Sequence, residues 1–151
     1  MNAYGLAPGA LLTRDSLTAI GLQFILSQTG PLPAGSVMAA SVAADISARV
    51  NALNAVINNV ARDNGAVVYD LQGFFRRVRT QGFRVGSRTI NSQPFGGFYS
   101  LDGVYPGSTG HALIANEILS LLNSTYNQAF PLLDVNAVAQ QDPVQKYLPA
   151  Q

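Results

Sequence analysis

Along the middle of the chain, apolar residues fall at Val42, Ile46, Val50, Leu53, Ile57 and Val60, in steps of four, four, three, four and three. Those steps keep all six on one face of a helix. Ser36 or Ser41 is placed to cap its start, and Asp63-Asn64-Gly65 stops it, because Gly65 can adopt the left-handed conformation favoured just past a helix end. The pattern then changes. Ala66-Val67-Val68-Tyr69-Asp70 is a short, continuous apolar run with β-branched residues, which predicts a strand buried on both faces. Leu71 to Arg79 predicts a further helix that turns Phe74, Phe75 and Val78 inward and Arg76, Arg77 and Arg79 outward. A last helix is expected after Pro106, capped by Ser108 or Thr109, with Ile114, Ile118, Leu121 and Leu122 on its buried face.

The remaining segments are less periodic. Tyr4 to Leu12 reads as an extended lead-in broken by Gly5, Pro8 and Gly9, and Ser16 to Gln28 as helical or partly extended around Leu17, Ile20 and Phe24. Thr29 to Ser36 is a loop, with two prolines and two glycines in eight residues. Thr80 to Val104 is rich in Gly, Ser, Asn and Gln, a long loop with short extended pieces near Phe83 to Val85 and Thr89 to Ile90; loops of that length in a compact domain carry function or move. Tyr126 to Gln151, with Pro131, Pro143 and Pro149, is expected as an extended tail over the surface. No internal repeat is present. One strand buried on both faces is not a sheet, since its backbone groups need neighbours. Either strands lie in the first thirty residues, or the chain is the later part of a larger α/β domain whose other strands lie outside it.

Length adds one domain, 1–151, with 126–151 as its tail. Charged residues make up only 11%, against roughly 25% in ordinary soluble domains. A surface built to pack on absent elements would be thin in charge in this way. The net charge of +1 gives no steering toward nucleic acid, anionic membrane or acidic ligands. Five of the nine basic residues cluster from Arg76 to Arg88, but with no stacking motif the cluster reads as a solvated face, so no nucleic-acid partner is expected. The absence of cysteine excludes disulfides, thiolate metal sites and cysteine nucleophiles, and a single histidine excludes a multi-histidine metal centre. No cofactor is implied. Apolar stretches fall well short of the roughly 20 residues of a membrane helix, so no membrane span is expected. Met1 to Gly9 has neither the basic nor the apolar region of a secretion leader, and the compartment stays open.

The segment richest in chemistry runs Phe98-Tyr99-Ser100-Leu101-Asp102-Gly103-Val104-Tyr105-Pro106-Gly107-Ser108-Thr109-Gly110-His111-Ala112-Leu113-Ile114-Ala115-Asn116-Glu117. It resembles the last block of the GDSL, or SGNH, serine ester hydrolases, in which an Asp-x-x-His-Pro turn precedes a helix starting Gly-Tyr or Gly-His. The likeness extends back through the long helix and the Val67-Val68-Tyr69-Asp70 run, and forward through Asp134 to Ala139. It covers most of this chain but only the C-terminal half or so of a family member. The resemblance implies an α/β, flavodoxin-like three-layer α/β/α fold, represented by its C-terminal part, and hydrolysis of carboxylic esters, such as lipid or acetylated-glycan esters, through a serine acyl-enzyme.

In such a site an imidazole takes the serine proton and a carboxylate holds the imidazole's tautomer. By the resemblance, Asp102 stands at the orienting carboxylate and Tyr105 at the family's His position. A phenol with an ordinary pKa near 10 is a poor base at neutral pH. His111, six residues on, stands at the family's Gly-Tyr or Gly-His position. Two readings stand for it, an ordinary packing or capping residue and a relocated base, and two for Asp102, a turn carboxylate and a retained catalytic position. The family's Gly-Asp-Ser nucleophile block and its oxyanion Gly and Asn blocks are not found. Arg14-Asp15-Ser16-Leu17 copies three of four letters, which leaves Ser16 as a helix cap, with Asp15 in the first turn, or as a nucleophile. The expectation is a hydrolase segment inactive alone, either a truncated product or a half completed by another chain; the alternatives are a non-catalytic ligand-binding or interaction module and a minimal serine esterase using His111. Open strand edges would favour self-association.

Overall fold

A computed structural model describes residues 4–147; the start of the leader reading at 1–3 and the end of the expected tail at 148–151 lie outside them. Over the described residues the chain is mixed α/β, 52% helical with two small antiparallel sheets. It divides after Ala66 into two compact units.

In the first unit, Leu11–Leu12 (β1) pairs antiparallel with Val37–Met38 (β2), Leu11 opposite Met38. The ambiguous segment between them is a helix, Ser16–Ile25 (α1). The long periodic run is the helix Ala40–Asp63 (α2), and Gly65 follows its end at φ +65° as the stop signal requires. Neither serine caps it: Ala39 holds the cap position without a side-chain bond, and Ser36 is buried. The apolar stripe forms as spaced, but none of the described residues of the unit covers it. No residue of α2 is buried, and Leu53 is 59% exposed.

The second unit opens with a departure from expectation. Ala66 to Asp70 joins no sheet, and Val67 and Val68 are exposed rather than buried on both faces. A strand exists only through its neighbours, and among the described residues none pairs with this one. The helix Leu71–Thr80 (α3) starts where predicted because the Asp70 carboxylate accepts the Gly73 N–H at 2.8 Å. Phe74 and Val78 are fully buried. The two short extended pieces close a hairpin, Phe83–Val85 (β3) with Arg88–Ile90 (β4), Val85 facing Arg88. The two-residue Gly86-Ser87 connection works because Gly86 takes φ +58°, as turns matching strand twist demand.

The helix Ser108–Tyr126 (α4) follows Gly107, not a serine or threonine cap. Its burial sits at Thr109, Gly110, Ala112 and Leu113, while Ile118 is exposed, since the core lies against its first turns. The segment beyond Tyr126 is more structured than an extended tail. Asn116 and Asn123 each clasp it with a pair of bonds: Asn116 with the Leu133 N–H and carbonyl at 2.7 and 2.9 Å, Asn123 with those of Phe130 at the same distances. It then forms the helix Val135–Gln141 (α5), capped by Asp134 accepting from the Ala137 N–H, and a 3-10 turn Pro143–Tyr147. The core joins Phe74, Val78, Val85, Ile90, Phe98 and Leu113. Among the described residues, no helix is long and apolar enough to cross a membrane.

Gly110 shows how closely α4 sits on that core. A Cβ there would collide with the Phe98 carbonyl oxygen and stand 2.9 Å from Pro106 Cβ. Gly110→Ala is therefore expected to destabilise this unit by about 2 kcal/mol through overpacking, outweighing the better helix propensity of alanine. Urea unfolding followed by circular dichroism checks it, and an unchanged midpoint would refute the close approach.

Candidate functional site

Asp102, Tyr105 and His111 lie on the turn that leads into α4 and on its first turn. Asp102 holds the turn closed: its Oδ1 accepts the Ser100 hydroxyl at 2.6 Å, the Val104 N–H at 2.8 Å and the Tyr105 N–H at 3.1 Å. This is the chemistry that places Asp in turns, a short carboxylate satisfying donors two and three residues on. Tyr105 is thereby brought to Asp102 through its backbone. Its side chain is 69% exposed.

His111 is exposed, with Nδ1 3.0 Å from the Gly107 carbonyl. A carbonyl only accepts, so Nδ1 carries the proton and the neutral ring keeps its lone pair on Nε2. That tautomer can take a proton from a hydroxyl placed beside Nε2. The orienting group, however, is the backbone of its own helix start and not Asp102, so the carboxylate–imidazole link of a serine hydrolase is not formed. Ser16 belongs to the other unit, where it is 1% exposed and its hydroxyl donates to the Thr13 carbonyl at 2.6 Å. It is the first residue of α1, with Asp15 at the cap position and making no capping bond.

Two features escaped the sequence reading. The first is a cluster of Tyr69, Arg77 and Glu117, in which Arg77 pairs with Glu117 and the Tyr69 hydroxyl donates to the same carboxylate at 3.5 Å. Burial, then the Glu117 charge, push the Tyr69 phenol up to about 12, so it stays protonated at neutral pH and offers no base.

The second is a buried polar network at the start of α4. Asp142, 2% exposed, accepts the Thr109 N–H at 2.8 Å and the Thr109 hydroxyl at 2.7 Å on Oδ2, and the Val144 N–H at 3.0 Å on Oδ1. It supplies the cap that Gly107 cannot, with its negative charge at the positive end of the helix. Burial is the largest influence on this carboxyl and pushes it up, but the hydrogen bonds from Thr109, Val144 and Gln145 together outweigh it and hold the group below the ordinary carboxylate range. Gln145 completes the network, its Nε2 donating to the Gly97 carbonyl at 3.0 Å and to the Thr109 hydroxyl at 3.2 Å. No sequence signal marks this network, because Ser108 and Thr109 read as caps where the structure places Gly107.

Beside it lies a groove of about 320 Å³, walled by the β3–β4 hairpin, α5 and the 3-10 turn, and lined by residues including Val85, Arg88, Ile90, Ala139, Gln145 and Lys146. Among the described residues, no group of three or more His, Asp or Glu could hold a metal ion. Compared with protein-family models, curated proteins and solved structures, the chain shows no match to any of the three.

Proposed function

We propose that this chain is the C-terminal part of an SGNH-type three-layer α/β hydrolase domain, inactive alone, either a truncated product or a half completed by a chain that carries the serine nucleophile and oxyanion donors. The observation that carries the reading is the state of α2 and of the run after it. A 24-residue helix with an apolar stripe has no buried residue, and among the described residues the apolar Val67-Val68 run has no strand to pair with. Each open surface is what a sheet-centred α/β domain covers, helix stripe on sheet face and strand beside strand. The likeness of Phe98 to Glu117 to the last SGNH block supplies the family, and with it carboxylic esters as the substrate class. In this reading Asp102 retains the position of the orienting carboxylate, and Tyr105 occupies that of the base.

The test is the intact mass of the purified chain after exposure to a fluorophosphonate, which adds covalently to activated serines. The expected outcome is no adduct on folded protein. A single adduct that disappears in His111→Ala would overturn the reading and establish a minimal serine esterase with His111 as its base. The coding DNA upstream provides a second check: a Gly-Asp-Ser block in the same or an adjacent reading frame is expected, and its absence would favour a non-catalytic binding module on the same fold.

A further inference from the structure

We propose that Asn64-Gly65, the stop signal of α2, is a self-modifying site: with water as the only reactant, Asn64 converts to an acidic residue that loosens the end of the helix. The pair is the one Asn-Gly in the sequence. Glycine matters because its backbone nitrogen is the nucleophile and no side chain shields it. A Cβ at Gly65 would meet nothing within 4 Å, so the approach is open on that side. Both residues are exposed. The Asn64 amide donates to the Val60 carbonyl at 2.8 Å, and the Gly65 N–H to the Arg62 carbonyl at 3.2 Å, both within the last turn. Helix ends fray, and one opening of this turn releases the amide and the nitrogen together.

In the first step the Gly65 nitrogen loses its proton to solvent and bonds to Asn64 Cγ, while the Cγ–Nδ2 bond breaks and Nδ2 leaves with a solvent proton as ammonia. Water then opens the cyclic imide. Cleavage at Cγ gives aspartate at position 64; cleavage at the main-chain carbonyl gives isoaspartate, whose backbone runs through the side-chain carbon. One water is consumed and one ammonia released. The product reverses the local electrostatics, because the donor that served the Val60 carbonyl becomes a carboxylate, beside Asp63 and at the negative end of the α2 dipole. Asn91 and Asn123, each followed by serine, are shielded by the fold. Asn91 accepts the Gln93 N–H at 2.9 Å while its own N–H and carbonyl bond Gly96 and Phe98, and Asn123 sits inside α4, clasping Phe130. None of this depends on the hydrolase reading.

The experiment is warm incubation of the full chain in mildly alkaline buffer, folded or in urea, followed by tryptic digestion and mass spectrometry of the Asp63–Arg76 peptide and of those carrying Asn91 and Asn123. In the folded chain Asn64 is expected to convert within about tenfold of its rate in urea, since only exposed hydrogen bonds of the last turn must open. Folding is expected to slow Asn91 and Asn123 about a hundredfold, because their conversion requires opening of the loop base or of α4. In Asn64→Asp, the Ala61–Asp63 amides are expected to exchange hydrogen about threefold faster by NMR, from the lost donor and the added charge at the helix end. Asn64 slowed by folding as much as Asn91 and Asn123, either of those converting as fast as Asn64 in the folded chain, or unchanged exchange in Asn64→Asp would each overturn the assignment.

Discussion

Phe74→Ala is expected to lower the stability of the second unit by about 4 kcal/mol, the upper range for deleting a buried aromatic side chain. Phe74 is fully buried, and its ring packs against Tyr69, Phe75, Phe83 and Phe98 at centroid distances of 6.4, 5.7, 5.3 and 5.9 Å. These contacts link α3, the start of the hairpin and the segment leading to α4, so one substitution withdraws support from three elements. Tilted and edge-on arrangements add to the area term, because ring edges meet ring faces. Should Phe74→Ala fail to fold, Phe74→Leu keeps most of the volume and is expected to cost about 1 kcal/mol. Denaturant midpoints at constant slope measure both changes. A Phe74→Ala chain with a wild-type midpoint would mean that this aromatic cluster is not the core of the unit.

That core was legible because its signals are local. Phe74 and Val78 lie four residues apart on a run opened by Asp70, and Asp70 and Gly73 settle the helix start between themselves. The short extended pieces near Phe83 and Thr89 are legible inside the long loop, but their pairing across Gly86-Ser87 is not. The helix α2 follows from its own spacing and from Gly65. The errors arose where a residue's fate depends on distant partners. Val67-Val68 carries every local mark of a buried strand, yet a strand needs a neighbour that composition cannot locate. Ile118 sits on the apolar stripe of α4, but the core meets the helix two turns earlier, so spacing named the face without naming the stretch. The helix α5 was hidden by Pro131 and Pro143, which bracket it and suggest an irregular tail.

The candidate site divides the same way. Asp102 and His111 stand out by residue type and by resemblance, and their local bonds, to Ser100, Val104 and Tyr105 and to Gly107, explain each without the other. The groove could not be seen, because Arg88 and Gln145 are 57 residues apart and meet only through the fold. Asp142 carries no local signal beyond standing before Pro143, and its partner Thr109 is 33 positions away.

Asp142→Ala carries the second large expected effect, a loss of about 3 kcal/mol, since it strips a buried carboxylate from three donors at once. The Thr109 N–H and hydroxyl and the Val144 N–H would be left in a region from which water is largely excluded, and the first turn of α4 would lose its cap. Asp142→Asn separates charge from shape. Its amide oxygen can still accept from Thr109, so the expected loss is smaller, about 1.5 kcal/mol. The pH dependence follows from the direction of the shift. The folded carboxyl titrates below its unfolded value, so its contribution is fully present above about pH 4 and is lost as pH falls through the lower folded value. Denaturant unfolding at a series of pH values from neutral down to about pH 2.5 should therefore show wild type losing stability toward acid more steeply than Asp142→Asn, the two curves converging at the low end. Parallel curves would mean that the carboxylate is not held ionised by Thr109 and Val144, and that α4 begins without it.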